Sequence, residues 1–392
     1  MFNFRYYTPT EVVFGKGTES QTGELVKKYH GTKVLLHYGG GSVVRSGLLD
    51  RIKASLDEAG VAYVSLGGVV PNPHLELVYE GIELCKKEGV DFLLAVGGGS
   101  VIDSCKAIAY GLGEPDKDVW ELYEHTRTAK ACLPVASVLT IAAAGSEMSN
   151  SSVLTNTETG KKMGLPTDLN KPKFAILNPE LTFTLPKYQI ACGITDIMMH
   201  TMERYFIPNQ KNQMTDEIAE ALLRVVIENG RTAMENPCDY DAMSEIMWCS
   251  TLSHNGITGL GRVRDFSVHK FGQAIGGKYD YAHGATLSAV WEAWAKYLYM
   301  YDVDRFAHFA EKIWSVECED KKLAAEEGIR KTVEFFREIG MPVNMRELGI
   351  SEITDEKLME LAMDATMDNT VKLAKVKELD VNEVYQIFKN AR

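Results

Sequence analysis

Short apolar runs that end in glycines, each followed by a helical pattern, dominate the first half of the chain. Residues 34–36 form one such run, which stops at the Gly-Gly-Gly-Ser of residues 39–42. Residues 92–96 form another, which stops at the Gly-Gly-Gly-Ser of residues 97–100. Strands that are apolar on both faces and alternate with helices are typical of a parallel sheet that helices cover on both sides. The first half is therefore predicted to be an α/β domain.

A change of pattern near residue 185 divides the chain. Before it, further strands are predicted at residues 61–64, 134–139 and 174–177, and further helices at residues 47–59, 74–88 and 101–110. From about Pro186 to Arg392 the patterns are helical, with few strand signals and no Ser- or Gly-rich linker at the change. A chain of 392 residues can bury two cores. We therefore expect an α/β domain at residues 1–185 and an all-helical domain at residues 186–392.

The charge and the cysteines exclude several classes of protein. A net charge of −12 argues against a nucleic-acid footprint and against a polybasic membrane anchor. The seven cysteines are scattered and form no C-x-x-C pair, which suits reduced thiols in a cytosol. The first residues lack a signal-peptide pattern, and no run approaches the roughly 20 apolar residues that span a bilayer. We expect a soluble, cytoplasmic protein without nucleic-acid or membrane partners.

The glycine run at residues 97–100 lies between a predicted strand and a predicted helix. Glycine lets the backbone approach a ligand closely, and the first turn of a helix offers free N–H groups and the positive end of the helix dipole. This combination binds pyrophosphate, although the run is neither a G-x-G-x-x-G fingerprint nor a P-loop. A tight turn without a ligand is the alternative interpretation.

The glycine run at residues 39–42 carries no negative charge. NAD sites commonly use an acidic side chain to accept the adenosine ribose hydroxyls, whereas the 2′-phosphate of NADP is repelled by a carboxylate. No Asp or Glu occurs between Lys33 and Leu49, and Ser42 and Arg45 can donate to a phosphate. The segment therefore favours NADP over NAD, and a glycine-rich turn without any ligand contact is the alternative.

A carboxylate and three histidines in the second half are candidate metal ligands. Asp196 and His200 lie four residues apart in a predicted helix, which places them on one face with Cβ atoms about 5–6 Å apart. Such a pair is common on its own. His269 lies in a predicted helix with Asp265 as its cap and a stop at Gly276-Gly277, and His283 opens a later helix.

The first-turn position of His283 favours the neutral imidazole that metals bind. Asp280 is the predicted N-cap of this helix, and the positive helix end disfavours a second proton on the ring. Three imidazoles and one carboxylate suit Fe²⁺ or Zn²⁺ and leave a position for a substrate oxygen. Sequence spacing alone does not bring separate helices together, so this set of ligands is a hypothesis.

The remaining histidines are weaker candidates. His254 either lines a substrate pocket or packs between helices, and the sequence leaves both readings open. The others are predicted to be structural or solvated, namely His30, His37, His74, His125 and His308.

Several separated motifs occur in an order that identifies a resemblance to a known family. They are residues 69–73, 97–104, 139–147 and 193–200, and His269 with His283. Through them the chain resembles the iron-containing (group III) alcohol dehydrogenases over nearly its whole length. It is most similar to the bacterial NAD(P)H-dependent butanol dehydrogenases and NADPH-dependent aldehyde reductases. The resemblance implies a dehydroquinate synthase-like architecture, with a dinucleotide-binding domain at residues 1–185 and a metal- and substrate-binding domain at residues 186–392.

The resemblance also implies roles for individual residues by motif position. The metal ligands would be Asp196, His200, His269 and His283. The adenosine end of the cofactor would contact Gly39, Gly40, Gly41, Ser42 and Asn72, a stretch that is similar to the NADPH-using branch. The pyrophosphate loop would contain Gly98, Gly99 and Ser100. Residues near the ribose and the nicotinamide would be Asp103, Thr140 and Lys162.

One position departs from the family pattern. Many relatives carry a further histidine four residues after the third ligand, whereas this chain has Gln273. An amide does not act as a base near neutral pH, so a proton relay through that histidine is not carried over. No catalytic residue is predicted beyond the metal centre, and water or the cofactor ribose hydroxyls are the expected proton source.

The predicted function is that of a metal-dependent, NAD(P)H-linked alcohol dehydrogenase or aldehyde reductase. It would interconvert short-chain aldehydes and primary alcohols such as butanal and butanol. We expect NADP(H) in preference to NAD(H), one divalent ion (Fe²⁺ or Zn²⁺) and a small-molecule substrate, and we leave a homodimer open. The alternatives are a polyol dehydrogenase or a sugar-phosphate cyclase on the same fold. A cyclase needs a basic cluster for its phosphorylated substrate, and Arg262, Arg264 and Lys270 could supply that positive charge. A nucleotide-binding protein without catalysis is a third.

Overall fold

The computed structural model describes residues 1–208 and 212–392 of the chain. These residues form two compact units. One unit is Tyr7–Thr184, and the other combines Met1–Tyr6 with Leu185–Arg392. Within the described ranges, no helix is both long enough and apolar enough to cross a membrane.

A parallel sheet forms the centre of the unit Tyr7–Thr184. Its strands, with an additional hairpin, are β1 (Glu11–Phe14), β2 (Lys33–Gly39), β3 (Ala62–Val69), β4 (Phe92–Gly97), β5 (Val135–Leu139), β6 (Ser151–Asn156), β7 (Lys161–Pro166) and β8 (Phe174–Leu177). Six strands pair in the order β1-β8-β5-β4-β2-β3, every pair parallel, and β6 pairs with β7 in an antiparallel hairpin. The predicted parallel sheet is therefore confirmed.

Helices fill the connections between these strands. They are α1 (Thr22–Lys28), α2 (Ser42–Arg45), α3 (Leu48–Glu58), α4 (Leu75–Glu88), α5 (Gly99–Gly113) and α6 (Trp120–Tyr123). Strand β4 is buried along its whole length between β2 and β5, as its continuous apolar run predicts. Apolar residues of α1 and α3 share one cluster with β2, β4, β5 and β8, and α5 packs against β4.

The strands β1, β6 and β7 of this unit were not predicted from the sequence. The edge strand β1 has only four residues, and none of them is fully buried. The β6–β7 hairpin alternates buried and partly exposed residues on β6 but carries Ser, Thr and Asn, which weaken the apolar signal of a strand. The hairpin matters because it lies beside several candidate cofactor residues.

Helices form the second unit. They are α7 (Lys187–Tyr205), α8 (Gln213–Glu235), α9 (Tyr240–His254), α10 (Ser267–Tyr279), α11 (His283–Leu298), α12 (Val303–Trp314), α13 (Lys321–Glu338), α14 (Met345–Leu348), α15 (Asp355–Ala365) and α16 (Val381–Asn390). Residues 1–6 join this unit, and the Phe2 amide donates to the Gly261 carbonyl at 2.8 Å. Helix α7 is buried at nearly every position from Ile190 to Tyr205, so polar side chains on it face the interior.

The predicted ends of α10 and α11 are wrong. Helix α10 continues through Gly276-Gly277 to Tyr279, because a helical glycine costs only about 1 kcal/mol relative to alanine. Asp280 ends α10 in the left-handed conformation, with φ of 54°, and Ala282 is the N-cap of α11. Phe266, not Asp265, is the N-cap of α10. Aspartate tolerates the left-handed region better than most residues, which makes it a stop here instead of a start.

Candidate functional site

Two of the candidate ligands project from one turn of α7. The Nδ1 atom of His200 lies 3.3 Å from the Oδ1 atom of Asp196. The two residues are 3% and 4% exposed. The shared helix face that the four-residue spacing predicts is therefore present, and it faces the interior of the helical unit.

Helix α10 brings His269 to the same point. Its Nε2 atom lies 3.4 Å from the Oδ1 atom of Asp196, and its ring centroid is 4.3 Å from that of His200. His269 is also buried. His269 lies at least 69 positions after Asp196 and His200 in the sequence, yet the three residues place their potential ligand atoms together. The Asp196 carboxylate lies between the two imidazoles.

His283, the first residue of α11, lies at the rim of this group. Its Nε2 atom is 3.9 Å from the Oδ1 atom of Asp196, and its side chain is 30% exposed. Gly284 permits this position, because a Cβ atom there would lie 2.2 Å from the Cys192 carbonyl oxygen on α7. The start of α11 therefore approaches α7 more closely than any other residue type allows, and His283 marks the exposed side of the cluster.

The cluster passes a chemical test for holding a divalent ion. The ligand atoms of Asp196, His200 and His269 lie within 4.8 Å of one another. The Oδ1, Nδ1 and Nε2 atoms of these residues are buried, and none has a hydrogen-bond partner among the described residues. Buried polar atoms are costly unless another group satisfies them. Carboxylate and imidazole donors are the ligands that Fe²⁺ and Zn²⁺ take in proteins.

The protonation of the imidazoles follows from their surroundings. Burial, helped by the neighbouring His254 and His269 rings, lowers the pKa of His200 well below its usual value and keeps that ring neutral. Burial also lowers the pKa of His269, but the carboxylates of Glu203 and Asp196 outweigh it and raise the value to about 9. These two carboxylates therefore favour the charged form of the His269 ring.

Glu203 is a buried partner of His269 that the sequence did not reveal. One of its carboxylate oxygens, Oε2, accepts a hydrogen bond from His269 Nδ1. The other, Oε1, accepts from the backbone amides of Val268 at 2.6 Å and His269 at 3.1 Å. A usable signal existed, since Glu203 lies seven residues after Asp196 and three after His200, which places it on the same face of α7.

His254 and Gln273 flank the ligand residues. The His254 ring stands edge-on to that of His200, with centroids 4.0 Å apart. His254 is therefore packed against a candidate ligand, as the last residue of α9. Gln273 lies on α10 one turn after His269 and is partly buried.

The predicted pyrophosphate loop forms the turn from β4 into α5. Gly98 is extended as the N-cap of α5, and Gly99 is the first helical residue. A Cβ atom on Gly98 would lie 3.1 Å from Ile141, and one on Gly99 would lie 3.2 Å from Ala144. The segment after β5 thus packs directly over this turn, and larger residues at either glycine would displace it.

Most of the residues expected near the ribose and nicotinamide gather around the β6–β7 hairpin. Asp103 on α5 accepts a hydrogen bond from the Val153 amide of β6 at 3.0 Å, and burial raises the pKa of Asp103 to about 6. Lys162 on β7 donates to Asn72 at 2.7 Å. Thr140 follows β5, where its amide donates to the Gly97 carbonyl at 3.1 Å. The hairpin therefore joins residues that the sequence scatters over 90 positions.

The residues expected at the adenosine end lie beside this loop in the sheet. Gly39 ends β2, which pairs directly with β4, so residues 39–42 and 97–100 follow neighbouring strands. Gly41 adopts a left-handed conformation with φ of 118°, and Ser42 is the first residue of α2. Carboxyl ends of adjacent parallel strands are the usual place for a nucleotide.

Arg262, one of the basic residues on which the sugar-phosphate cyclase alternative depends, is already hydrogen-bonded within the protein. The Arg262 guanidinium donates to the Asp216 carboxylate at 2.7 Å, and Arg305 donates to the same carboxylate at 3.0 Å. Arg262 also donates to the carbonyls of Arg204 and Asn212. A buried arginine held in this way is not available for a substrate phosphate, which weakens the cyclase alternative.

Comparisons with known proteins agree along the whole chain. The family model for iron-containing alcohol dehydrogenase matches residues 9–179, and the model for the C-terminal region of the Fe-containing alcohol dehydrogenase family matches residues 190–392. Together the two matches account for nearly every residue of both units.

Individual relatives point the same way. The chain is 39% identical to NADH-dependent butanol dehydrogenase A of Clostridium acetobutylicum over the full length of both proteins. It is 34% identical to NADPH-dependent aldehyde reductase YqhD of Escherichia coli, with 89% of this chain and 90% of the relative covered. The crystal structure of NADH-dependent butanol dehydrogenase A from Thermotoga maritima has a TM-score of 0.95 at 34% identity, and covers 100% of this chain and 99% of its own.

The expected family, fold and enzyme class are confirmed by these matches. Relatives that use NADH and relatives that use NADPH both occur among them, so the matches establish a nicotinamide cofactor and a divalent metal without a preference between the two nicotinamides. The chain therefore belongs to the iron-containing alcohol dehydrogenases and is an NAD(P)-dependent oxidoreductase that interconverts alcohols and aldehydes.

Proposed function

We propose that this enzyme interconverts short-chain aldehydes and primary alcohols, such as butanal and butanol, at a metal centre of Asp196, His200, His269 and His283. The single observation that carries the proposal is the set of buried Oδ1, Nδ1 and Nε2 atoms on the first three residues, which lack hydrogen-bond partners among the described residues. The substrate class comes from the butanol dehydrogenases and the aldehyde reductase among the relatives.

Asp196, His200 and His283 have different tasks in this centre. The Asp196 carboxylate lies between the imidazoles and supplies the negative charge that offsets a buried cation. The neutral His200 ring supplies a nitrogen lone pair. His283 is the most exposed of the four, so a substrate would enter on its side.

The cofactors supply the chemistry that side chains lack. A bound divalent ion supplies Lewis acidity that polarises a carbonyl group and lowers the pKa of an alcohol, while the nicotinamide supplies or accepts the hydride. Either Fe²⁺ or Zn²⁺ suits these ligands. Gln273 cannot exchange a proton near neutral pH, so the proton would come from water or from the ribose hydroxyls.

The finer assignments for the cofactor rest on the first unit. NADPH is favoured because residues 39–42 and their neighbours carry no carboxylate, while Ser42 and Arg45 can donate to a 2′-phosphate. The pyrophosphate is assigned to Gly98, Gly99 and Ser100, and the ribose and nicotinamide end to Asp103, Thr140 and Lys162. The domain roles given above, a cytoplasmic location and a homodimer stay predictions.

The test combines metal analysis with turnover. Purified protein is assayed for bound metals and for loss of NADPH absorbance with butanal. His269→Ala and His283→Ala should each lower the metal content and abolish turnover, while NADPH binding measured by fluorescence stays largely intact. Full activity in metal-free variants would contradict the ligand assignment, and activity only with a polyol substrate would contradict the substrate class.

A further inference from the structure

Glu203 connects the two helices that carry the buried part of the proposed metal centre. It lies in the last turn of α7, the helix that carries Asp196 and His200, and is 1% exposed. Both of its carboxylate oxygens are used on α10, the helix that carries His269. A carboxylate buried to this extent needs donors on both oxygens to offset its desolvation, and α10 supplies them.

The first contact determines which nitrogen of His269 carries a proton. A carboxylate only accepts hydrogen bonds, so the Nδ1 atom of His269 must be the donor to Glu203 Oε2. The opposite nitrogen, Nε2, is then the atom directed at Asp196, 3.4 Å from its Oδ1 atom. Because Glu203 holds the proton on Nδ1, the neutral ring directs the lone pair of Nε2 towards Asp196.

The contact of Glu203 Oε1 with backbone amides fixes the main chain at His269. Glu203 Oε1 accepts from the Val268 and His269 amides, which lie in the first turn of α10 and have no partner within that helix. The negative charge also lies at the positive end of the α10 dipole. One side chain therefore sets both the start of α10 against α7 and the rotation of the His269 ring.

We propose that Glu203 is a positioning residue of the metal centre: it holds the Nδ1 tautomer and the orientation of His269, and thereby raises the affinity of the centre for a divalent cation. This inference rests on the proposed function, because it presupposes that His269 is a ligand. A carboxylate behind a ligand histidine orients the ring and increases its basicity, and the loss of such a partner costs about 10–100-fold in metal affinity.

Asp265 offers a matched control on the same helix. It is also a buried carboxylate, 3% exposed, and its Oδ1 atom accepts from the Ser267 amide at 2.9 Å at the start of α10. Its second oxygen accepts from the Lys375 amide at 2.9 Å. Asp265 therefore stabilises the same helix end through the backbone but has no hydrogen bond to the His269 ring among the described contacts.

The experiment measures metal affinity instead of turnover. Metal-free full-length protein is titrated with Co²⁺ by equilibrium dialysis and by its visible absorption, for the parent, Glu203→Gln and Asp265→Asn. Glutamine has one acceptor oxygen, so it cannot serve the ring and the backbone amides from opposite sides. Glu203→Gln should bind Co²⁺ about 10–100-fold more weakly with an altered spectrum, whereas Asp265→Asn should keep the parent affinity and spectrum. NADPH binding should be the same in all three.

Other outcomes overturn the inference in distinguishable ways. Parent affinity in Glu203→Gln, or an equal loss in Asp265→Asn, would show that the ring contact does not set affinity. If Glu203→Gln does not fold, ¹⁵N NMR of histidine-labelled, Zn²⁺-loaded parent protein decides, because a proton on Nε2 of His269 contradicts the proposal. Failure of the parent to bind Co²⁺ or Zn²⁺ would reject the metal centre itself, and with it the proposed function.

Discussion

A Cβ atom on Gly284 would lie 2.2 Å from the carbonyl oxygen of Cys192, so the start of α11 and the middle of α7 approach as closely as their backbones allow. No side chain fits there without moving one of the two helices. Since His283 is the preceding residue, any such movement changes the distance between His283 and Asp196.

We therefore expect Gly284→Ala to lower both stability and metal affinity. The overlap forces α11 away from α7, with a cost of about 1–3 kcal/mol that is typical of overpacking. Thermal unfolding and Co²⁺ titration measure the two effects. Gly277→Ala is the control, because Gly277 is exposed on α10 and alanine there should stabilise the helix by up to about 1 kcal/mol. Equal effects of the two substitutions would contradict this explanation.

Substitution of Lys106 should also lower stability, in this case that of the unit Tyr7–Thr184. Its ammonium is 1% exposed and donates to the carbonyls of Ser146, Ser149 and Ser151 at 2.8, 3.0 and 2.9 Å. Lys106→Met should leave these acceptors without a donor and lower the free energy of unfolding by about 3 kcal/mol or more. Denaturant unfolding checks the value.

The same substitution should also weaken NADPH binding, because the segment held by Lys106 packs over the Gly98-Gly99 turn. Isothermal titration at a temperature where the variant is folded measures this effect. Lys86→Met, at an exposed helix position, is the control and should change neither property. Parent affinity for NADPH in Lys106→Met would show that the segment holds its position without the ammonium.

The proposed preference for NADPH should be sensitive to a negative charge introduced in residues 39–42. Ser42→Asp places a carboxylate where we propose the 2′-phosphate binds, so kcat/KM for NADPH should fall about tenfold or more relative to NADH. The parent enzyme should prefer NADPH. Ser46→Asp adds the same charge at the C-cap of α2 and should change the ratio much less. A parent enzyme that strongly prefers NADH would overturn our interpretation of residues 39–42.

The buried imidazole of His37 should make the stability of the folded protein depend on pH. Its Nδ1 atom lies 2.9 Å from the Leu66 carbonyl oxygen and its Nε2 atom 2.8 Å from the Ser104 hydroxyl. Because the carbonyl can only accept, Nδ1 is protonated and Nε2 accepts from Ser104. Burial lowers the pKa of His37 to about 4, below the value of 6.5 that it has when exposed.

The folded and unfolded chains bind different numbers of protons at His37, and this difference sets the direction of the pH dependence. Between these two values the unfolded chain binds more protons than the folded one, so this contribution to stability is complete above pH 6.5 and is lost as the pH falls towards 4. The loss amounts to about 3 kcal/mol, at 1.36 kcal/mol for each pKa unit. His37→Asn, which retains a donor for Leu66, should show a correspondingly flatter pH profile of unfolding free energy. Identical profiles for parent and variant would contradict the assignment.

Removal of the bound metal should lower the thermal stability of the protein. A ligand that binds only the folded state stabilises it by about 2.7 kcal/mol at one hundred times its dissociation constant. A chelator should therefore lower the Tm of the parent, and added Co²⁺ or Zn²⁺ should restore it. Asp196→Ala lacks the central carboxylate, so its Tm should not respond to either addition. A chelator effect of the same size in Asp196→Ala would place the ion elsewhere.

Local patterns predicted those features that depend on residues close in sequence. The wholly apolar runs were enough for the parallel sheet, and the four-residue spacing was enough to place Asp196 and His200 on one helix face. The neighbourhood of His269 and His283 came only from the resemblance, since no spacing rule reaches across separate helices. Glu203 was missed because its partners are 65 and 66 residues away.

The helix ends were predicted wrongly because tertiary packing overrode the local sequence signals. Sequence rules treat paired glycines as a stop and aspartate as an N-cap, because both residues favour those positions on average. Packing of α10 keeps Gly276 buried inside the helix, and Asp280 then adopts the left-handed conformation one residue after Tyr279. Tertiary contacts decided between two backbone conformations that differ little in energy.

The short turn of residues 280–282 between α10 and α11 has a consequence for the order of folding. His269 and His283 come together by closing a segment of only 14 residues, and Asp196 and His200 within a single turn of α7. Each half can form early, because the entropy of closing a short loop is small. Docking of α7 against α10 closes a far longer loop, so we expect it to be the slower event. Co²⁺ added during refolding would therefore bind only after that docking.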